Sequence, residues 1–376
     1  MRVVLFCNDG NYSLVHPLSA AISASGNSVV VIRMVEGSGN QLFAVTTEAK
    51  IDSGIEEITV SITCRWCRGL KFGSPILWKP LNFKLKHLKA KIEQAEIIHL
   101  FGESLLGGMA RTIAQRCAIP LVHSPGILDI VCGKVPFSEF DNMKSESGIK
   151  KQTIILEAEF LKKYVPETSY RIVEPWVATD GLSHRPKAFG SSLYFVMAGN
   201  WNEENPVIAR PKLAIKALAA VERDLGKPVI LGVIGGGTRI PELKEYCSSL
   251  GIHTQFHGDL IQKDLVREFQ KADGFLHPTD FATFPNFMIQ ALKCGVPVLA
   301  SQVDGMDTYL NVPNQGLLVE NKLSAWKEAF IQLKNTEFNY SEIALQNKDT
   351  FTIESAVDSI TRLYDDILLK RQSVES

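Results

Sequence analysis

The sequence predicts an α/β protein made of two doubly wound domains that face a central cleft. Three observations carry this expectation. A chain of 376 residues is too long for one ordinary hydrophobic core and long enough for two. Short apolar runs alternate with helical stretches in both halves, as parallel strands joined by helical crossovers do. Between the halves lies "YVPETSYRIVEPWVATDGLSHRPKAFG", rich in Pro, Gly and turn formers, which places a connection near residues 170–190.

The elements follow in order. "RVVLFC" is a first buried strand whose apolar run is too short for a signal peptide, and Asn8-Asp9-Gly10-Asn11 is the loop after it. "HPLSAAISASG" reads as a helix and "SVVVIRM" as the next strand. "AEIIHLFG", "LLGGMARTIAQRC" and "IPLVHSPG" continue the strand, helix, strand rhythm. The second half repeats it through "SLYFVMAG", "RPKLAIKALAAVERDLG", "PVILGVIGGG", "IPELKEYCSSLG", "TQFHGD", "DLVREFQKA", "DGFLHPT", "NFMIQALKCG" and "VPVLAS". "IESAVDSITRLYDDILLKRQ" has the apolar spacing of an amphipathic closing helix. The expected domains are 1–175, with helix 353–376 packing back on it, and 190–350.

Composition narrows the function classes. With 45% hydrophobic and 22% charged residues and a formal charge of −1, the chain has a globular composition and no global field for nucleic acid. Seven scattered cysteines suit thiols in a reducing compartment, so the expectation is cytoplasmic. No apolar run approaches the roughly 20 residues that span a bilayer. A membrane would be met from its surface.

Two loops invite a ligand. "GVIGGGT", Gly232 to Thr238, ends a buried strand with glycines that permit a sharp turn and a close backbone approach. It lacks the lysine of a nucleoside-triphosphatase loop, and Gly-x-Gly-x-x-Gly is also absent, so a plain strand-to-helix turn is the favoured reading. "TFPNFMIQALKCG" is more informative. Pro285 suits the first helical position and Gly295 the position just past the end. The helix start should leave N–H groups of Asn286 and Phe287 free, and such an end holds a diphosphate.

Taken in order, "AGNW", "RPKLAIKAL", "VIGGGTRIPELKEYCSSLGI", "TQFHGDL", "VREFQKADGFLHPT", "FPNFMIQALKCGVPVLAS" and "NQGLLVE" resemble the carboxyl-terminal half of the family 4 retaining glycosyltransferases. "IIHLFGESLLGGMARTIAQRCAIPLVHSPG" is similar to the same family's first half. The resemblance implies the GT-B fold, with two Rossmann-like domains, a nucleotide-sugar donor on the second domain and an acceptor on the first. It implies no metal and no other cofactor.

The pattern is degenerate at the family's paired glutamates, eight residues apart, which are here Ala282 and Gln290. The family's arginine after "AG" is Asn200, its diphosphate lysine falls near Ala209, and its "HG" histidine falls at Pro125 with His123 close by. Gln290 can still accept a hydrogen bond from a ribose hydroxyl. Arg210 and Lys212 flank the lysine position and can neutralise a diphosphate. The donor candidates are therefore Gly10, Gly199, Asn200, Arg210, Lys212, Gly236, His257, Asp280, Thr283, Phe284, Asn286, Phe287 and Gln290, with His123 the catalytic candidate. By the family's mechanism the leaving diphosphate takes the acceptor proton, so no carboxylate nucleophile of the glycosidase kind is needed.

"CRWCRGLKFGSPILWKPLNFKLKHLKAKIE" sets Arg65, Arg68, Lys79, Lys84 and Lys86 among Trp66 and Trp78. Cations with interfacial aromatics are attracted to anionic membrane surfaces, and a solvated helix explains the same residues equally well. Cys64-x-x-Cys67 has no second pair to complete a zinc set. His16 and His123 are expected at the cleft. The leading expectation is transfer of a sugar from a nucleotide diphosphate to a glycan or lipid-linked acceptor, in cell-surface polysaccharide or glycolipid synthesis at the inner membrane face. The partners would be the nucleotide sugar, the acceptor, an anionic membrane and a partner glycosyltransferase, with no nucleic acid. The alternative is a non-catalytic homologue acting as an accessory or glycan-binding subunit.

Overall fold

The computed structural model describes residues 1–8, 12–36, 43–52, 54–64, 86–102, 105–126, 152–165, 170–177, 181–184, 191–202, 210–281 and 284–375. The chain divides into two compact units. The first is Met1–Pro175 with Ile353–Ser376, and the second is Trp176–Thr352.

The first unit is built on a sheet of order β3-β4-β2-β1-β5-β6-β7-β8. Its strands are β1 (Arg2–Asn8), β2 (Ser28–Glu36), β3 (Phe43–Asp52), β4 (Ile55–Cys64), β5 (Ile97–Phe101), β6 (Leu121–Ser124), β7 (Gln152–Leu156) and β8 (Tyr170–Ile172). All neighbours pair in parallel except β3 and β4, which form an antiparallel hairpin. Runs such as Val3–Phe6 and Val29–Ile32 are buried throughout, because helices cover both faces of a parallel sheet. Helices α2 (Lys86–Glu93) and α3 (Leu105–Arg116) pack on one core, in which Leu88, Ile92, Met109 and Ala110 meet Val4, Phe6, Ile98 and Leu100. Helix α1 (Tyr12–Ala24) packs against the closing helix α10 (Ile353–Glu375).

The β3–β4 hairpin is absent from the sequence-based expectation. Its outer strand is exposed along Thr46–Asp52, so the apolar periodicity that betrays a buried strand is missing. Charges on that strand, including Lys50 in an ion pair with Glu57 at 3.2 Å, blunt an open sheet edge.

The second unit carries a wholly parallel sheet of order β11-β10-β9-β12-β13-β14. The strands are β9 (Leu193–Ala198), β10 (Val229–Ile234), β11 (His253–Gly258), β12 (Gly274–His277), β13 (Val298–Ser301) and β14 (Gly316–Val319). The helices are α4 (Pro211–Leu225), α5 (Ile240–Ser249), α6 (Gln262–Lys271), α7 (Asn286–Lys293), α8 (Leu323–Asn335) and α9 (Tyr340–Asn347). Phe195, Trp326 and Phe330 are fully buried at its centre, with the two phenyl rings edge to face at 5.3 Å. The chain leaves β9 towards β10 on one side and returns to β12 on the other. Their carboxyl ends therefore flank a topological switch point, where open α/β sheets bind ligands.

Candidate active site

The loop after β12 is locked before any ligand arrives. Thr279 is buried, its N–H donates to Ser301 Oγ at 2.8 Å and its hydroxyl donates to the Phe281 carbonyl at 2.8 Å. Ser301, fully buried at the end of β13, donates to Asn321 Oδ1 at 2.7 Å, and Asn321 Nδ2 returns a bond to the Thr279 carbonyl at 2.8 Å. The Arg210 N–H donates to the Pro278 carbonyl at 2.9 Å, and the Arg210 guanidinium pairs with Asp280. One cation is thus aimed by a carboxylate at the switch point. Ser301→Ala should destabilise the protein by about 1–3 kcal/mol, because the Thr279 N–H would be left buried without its acceptor. A thermal melt checks this, at about 2–4 °C per kcal/mol for a protein of this class.

Helix α7 follows. Pro285 is its N-cap rather than its first residue, so the helix begins at Asn286. The Asn286 N–H, expected to be free, donates to the Phe284 carbonyl at 3.0 Å. The first-turn N–H groups of Phe287 and Met288 are those to which helix geometry supplies no acceptor. Phe284 is anchored in a ring cluster with Tyr309 at 5.9 Å and Phe351 at 5.7 Å. At the other end, Gly295 takes φ +85°, its N–H meets the Leu292 carbonyl and the Val296 N–H meets the Ala291 carbonyl. This is the Schellman pattern that ends helices at glycine.

Gln290 is only 3% exposed and both ends of its amide are engaged. Nε2 donates to Asn286 Oδ1 at 2.7 Å, and Oε1 accepts from Gln262 Nε2 at 2.9 Å. One lone pair and one N–H remain for a ligand. Gln262, at the start of α6, escaped sequence reasoning because it lies 28 residues away on another helix.

The glycines of the loop after β10 serve backbone packing. At Gly235, φ +103°, a Cβ would overlap the Gly199 carbonyl, and at Gly237, φ +144°, it would overlap Trp201. The loops after β9 and β10 interlock through Trp201 N–H to the Gly236 carbonyl at 2.9 Å and Arg239 N–H to the Trp201 carbonyl at 2.8 Å. The Gly236 N–H donates to Asp259 Oδ1 at 2.8 Å, and Asn200 Oδ1 accepts from Asn202 at 2.7 Å.

Two donor candidates face elsewhere. Lys212 pairs with Glu242 on α5, so Arg210 is the cation left at the loop. His257 lies 3.1 Å from the Tyr194 hydroxyl and 3.6 Å from Glu268, in a network under α6. Gly232 makes room for the Tyr194 ring. Burial alone would raise the Glu268 carboxyl, but hydrogen bonds from Lys271 and Tyr194 hold it below its usual range. Gly10, Ala282, Thr283, Arg65, Trp66, Arg68, Trp78, Lys79 and Lys84 lie outside the described residues, and Lys86 opens α2.

In the first unit, His123 is wholly buried on β6, level with Leu100 and Ile154. Burial, with the positive charge of Arg111, pushes its imidazole down to about 3. As placed, it offers no surface to a substrate hydroxyl and has too little proton affinity to act as a base at neutral pH. His99, in the middle of β5 and wholly buried, has its Nε2 2.8 Å from Ser124 Oγ. Glu157 lies just beyond β7, and desolvation pushes its carboxyl up to about 7.

Residues 194–349 match the family model described as glycosyl transferases group 1. They form a group 1 glycosyltransferase domain. That stretch runs from β9 to just past α9 and takes in the described candidates from Gly199 to Gln290. Over 166 residues the chain is 28% identical to a D-inositol 3-phosphate glycosyltransferase of Rhodococcus erythropolis, covering 41% of this chain and 38% of that protein. Over 187 residues it is 22% identical to the UDP-Gal:alpha-D-GlcNAc-diphosphoundecaprenol alpha-1,3-galactosyltransferase of Escherichia coli, covering 48% and 47%. The matches thus span less than half the length of these two relatives. In fold, the chain superposes on sucrose-phosphate synthase of Thermosynechococcus elongatus with a TM-score of 0.70 at 16% identity, covering 98% of this chain and 100% of that one. It superposes on Anabaena HepE, solved with UDP and glucose, with a TM-score of 0.67 at 14% identity, covering 97% and 100%. The fold is GT-B, two Rossmann-like units on largely parallel sheets.

Proposed function

We propose that the protein is a retaining glycosyltransferase that moves a sugar from a nucleoside diphosphate sugar, held by the second unit, to a glycan or lipid-linked acceptor held by the first. The observation that carries this reading is Arg210, tied to the loop after β12 through Asp280 and the Pro278 carbonyl at the switch point of a group 1 domain. Arg210 and the first-turn N–H groups meet the negative charge that grows on the leaving diphosphate. The acceptor hydroxyl attacks the anomeric carbon on the face the diphosphate leaves, and a departing phosphate oxygen takes the hydroxyl proton. The products are a glycoside and a nucleoside diphosphate, with no carboxylate nucleophile and no metal required.

The lipid-diphosphate acceptor named for the E. coli relative supports a place in glycolipid or polysaccharide synthesis. The basic aromatic stretch at 64–93 supports peripheral attachment to an anionic membrane face. Among the described residues no helix is long and apolar enough to cross a membrane.

A thermal-shift screen with UDP, GDP, ADP and dTDP sugars tests the reading. One donor should raise the melting temperature, with or without EDTA, and be slowly hydrolysed. Gln290→Leu, which removes the remaining lone pair and N–H, should reduce that shift. Silence from every donor would favour the non-catalytic alternative.

A further inference from the structure

The first sheet ends on β3, and among the described residues no strand pairs with the outer side of that strand. Thr46 to Asp52 are exposed without a break. Ile51, 80% exposed, is the most exposed large apolar side chain among those described. Such an edge is a template for another strand, and charges on it deter indiscriminate pairing. Here the order of the charges also makes the strand complementary to itself.

The hairpin fixes which backbone groups are available. β3 pairs with β4 from Phe43 opposite Cys64 to Asp52 opposite Ile55, the last pair closing over two residues. A turn of that length has a hydrogen-bonded pair at its base, and hydrogen-bonded and non-hydrogen-bonded pairs alternate from there. Thr46, Glu48, Lys50 and Asp52 therefore bond inward to β4. Thr47, Ala49 and Ile51 direct their N–H and C=O groups outward. Side chains alternate in step. Thr47 and Ala49 lie on the face of Val60 and Ile58, their partners on β4, which belong to the core. Glu48 and Lys50 lie on the other face, where Lys50 meets Glu57 at 3.2 Å.

Two copies related by a two-fold axis would bring β3 against β3 antiparallel. Only registers that set outward residues opposite outward residues can form the ladder. With the axis at Glu48, glutamate faces glutamate. With the axis at Lys50, lysine faces lysine and Glu48 faces Asp52. Like charges directly opposite are destabilising. An axis at Thr47 makes no charge pair, and one at Ile51 runs the pairing into the turn after Asp52. An axis at Ala49, the midpoint of the exposed run, sets each Glu48 against Lys50 of the second copy and each Ile51 against Thr47. Lys50 then stands between Glu57 of its own chain and Glu48 of the other. The exposed Ile51 gains a β-branched neighbour.

We propose that β3 is a dimerisation edge, on which a second copy of this chain pairs antiparallel about Ala49 and the two first sheets become continuous. The exposed run is much shorter than the roughly 20–30 residues a side of a standard interface, so the dimer is reversible, with a dissociation constant on the order of 10–100 µM. The pairing depends on the hairpin alone and stands or falls apart from the transferase reading.

Sedimentation velocity on the full chain, from about 1 µM to about 300 µM, should show monomer giving way to dimer across that range. Glu48→Lys sets like charges opposite each other and should weaken dimerisation about tenfold or more. Ala49→Pro removes an outward N–H, leaves the inward bonds to β4 in place and should abolish the dimer. Cysteine trapping reads the register. In the proposed pairing the two Ala49 Cα atoms are about 5.5 Å apart, within disulfide reach, so Ala49→Cys should give a disulfide-linked dimer under mild oxidation that wild type does not give. The two Thr46 residues are about 20 Å apart along the strands, so Thr46→Cys should not.

A wild type that stays monomeric at about 300 µM, a dimer as strong in Glu48→Lys and Ala49→Pro as in wild type, or a disulfide dimer formed as readily by Thr46→Cys as by Ala49→Cys would each overturn the proposal. A thermal melt shows which variants are folded. If Ala49→Pro is not, Glu48→Lys and the two cysteine variants decide.

Discussion

Replacing Arg210 by alanine should lower kcat by about 10²–10³-fold with the fold intact, the cost of removing one preorganised group that meets charge in the transition state. The side chain is about half exposed, so little packing is lost with it. Its backbone bond to Pro278 survives the substitution. Arg210→Lys should recover part of the rate, because an ammonium supplies charge without the planar fork. Asp280→Asn frees the guanidinium and should change KM more than kcat. Initial rates of nucleoside diphosphate release at saturating donor measure all three. A kcat within threefold of wild type in Arg210→Ala would remove that residue from the mechanism.

The choice between Arg210 and Lys212 shows where sequence reasoning stops. Both bracket the expected cation position, and nothing local ranks them. Residues two apart at a helix start point to different sides, and partners decide the outcome. Asp280, 70 residues on, holds Arg210. Glu242 on α5 holds Lys212. The same holds for the contacts that link Tyr364 through His99 to Ser124, the first of which joins residues 265 apart. No periodicity or motif connects them.

What was legible was local and repetitive. The alternation of buried runs and helical stretches carried the two parallel-sheet units, and Gly295 marked the end of α7 because only a left-handed residue closes that turn. The glycines at 235–237 were legible as a turn, but their reason, the interlock with the Gly199–Trp201 backbone, came only with the tertiary contacts. His123 was misplaced for a related reason. In a strand one step reverses the face, and His123 lies wholly buried while the neighbouring Ser124, at the strand end, is partly exposed and meets His99.

Lys293→Met should produce the largest loss of stability, about 3–5 kcal/mol, or roughly 10 °C in melting temperature. Lys293 is 5% exposed, and its ammonium donates to the carbonyls of Asn347 at 2.8 Å, Lys348 at 3.0 Å and Thr350 at 2.6 Å. These carbonyls lie at and beyond the end of α9, where a cation is favoured by the helix dipole and unpaired oxygens need donors. Methionine keeps the apolar stem and removes every proton, so the Lys348 and Thr350 carbonyls lose the ammonium, while the Asn347 carbonyl keeps the Thr350 hydroxyl at 2.9 Å. The effect should reach the proposed ligand end as well, because Lys293 lies in the last turn of the short helix whose first turn is proposed to meet the diphosphate. Donor affinity should fall along with stability, whereas Glu268→Gln, in the network under α6, should lower stability with less effect on donor binding. Denaturant melts paired with donor titration separate the two. A Lys293→Met protein that melts within 2 °C of wild type would mean that water or a rearranged chain replaces the ammonium, and the coupling between α9 and the start of α7 would fall with it.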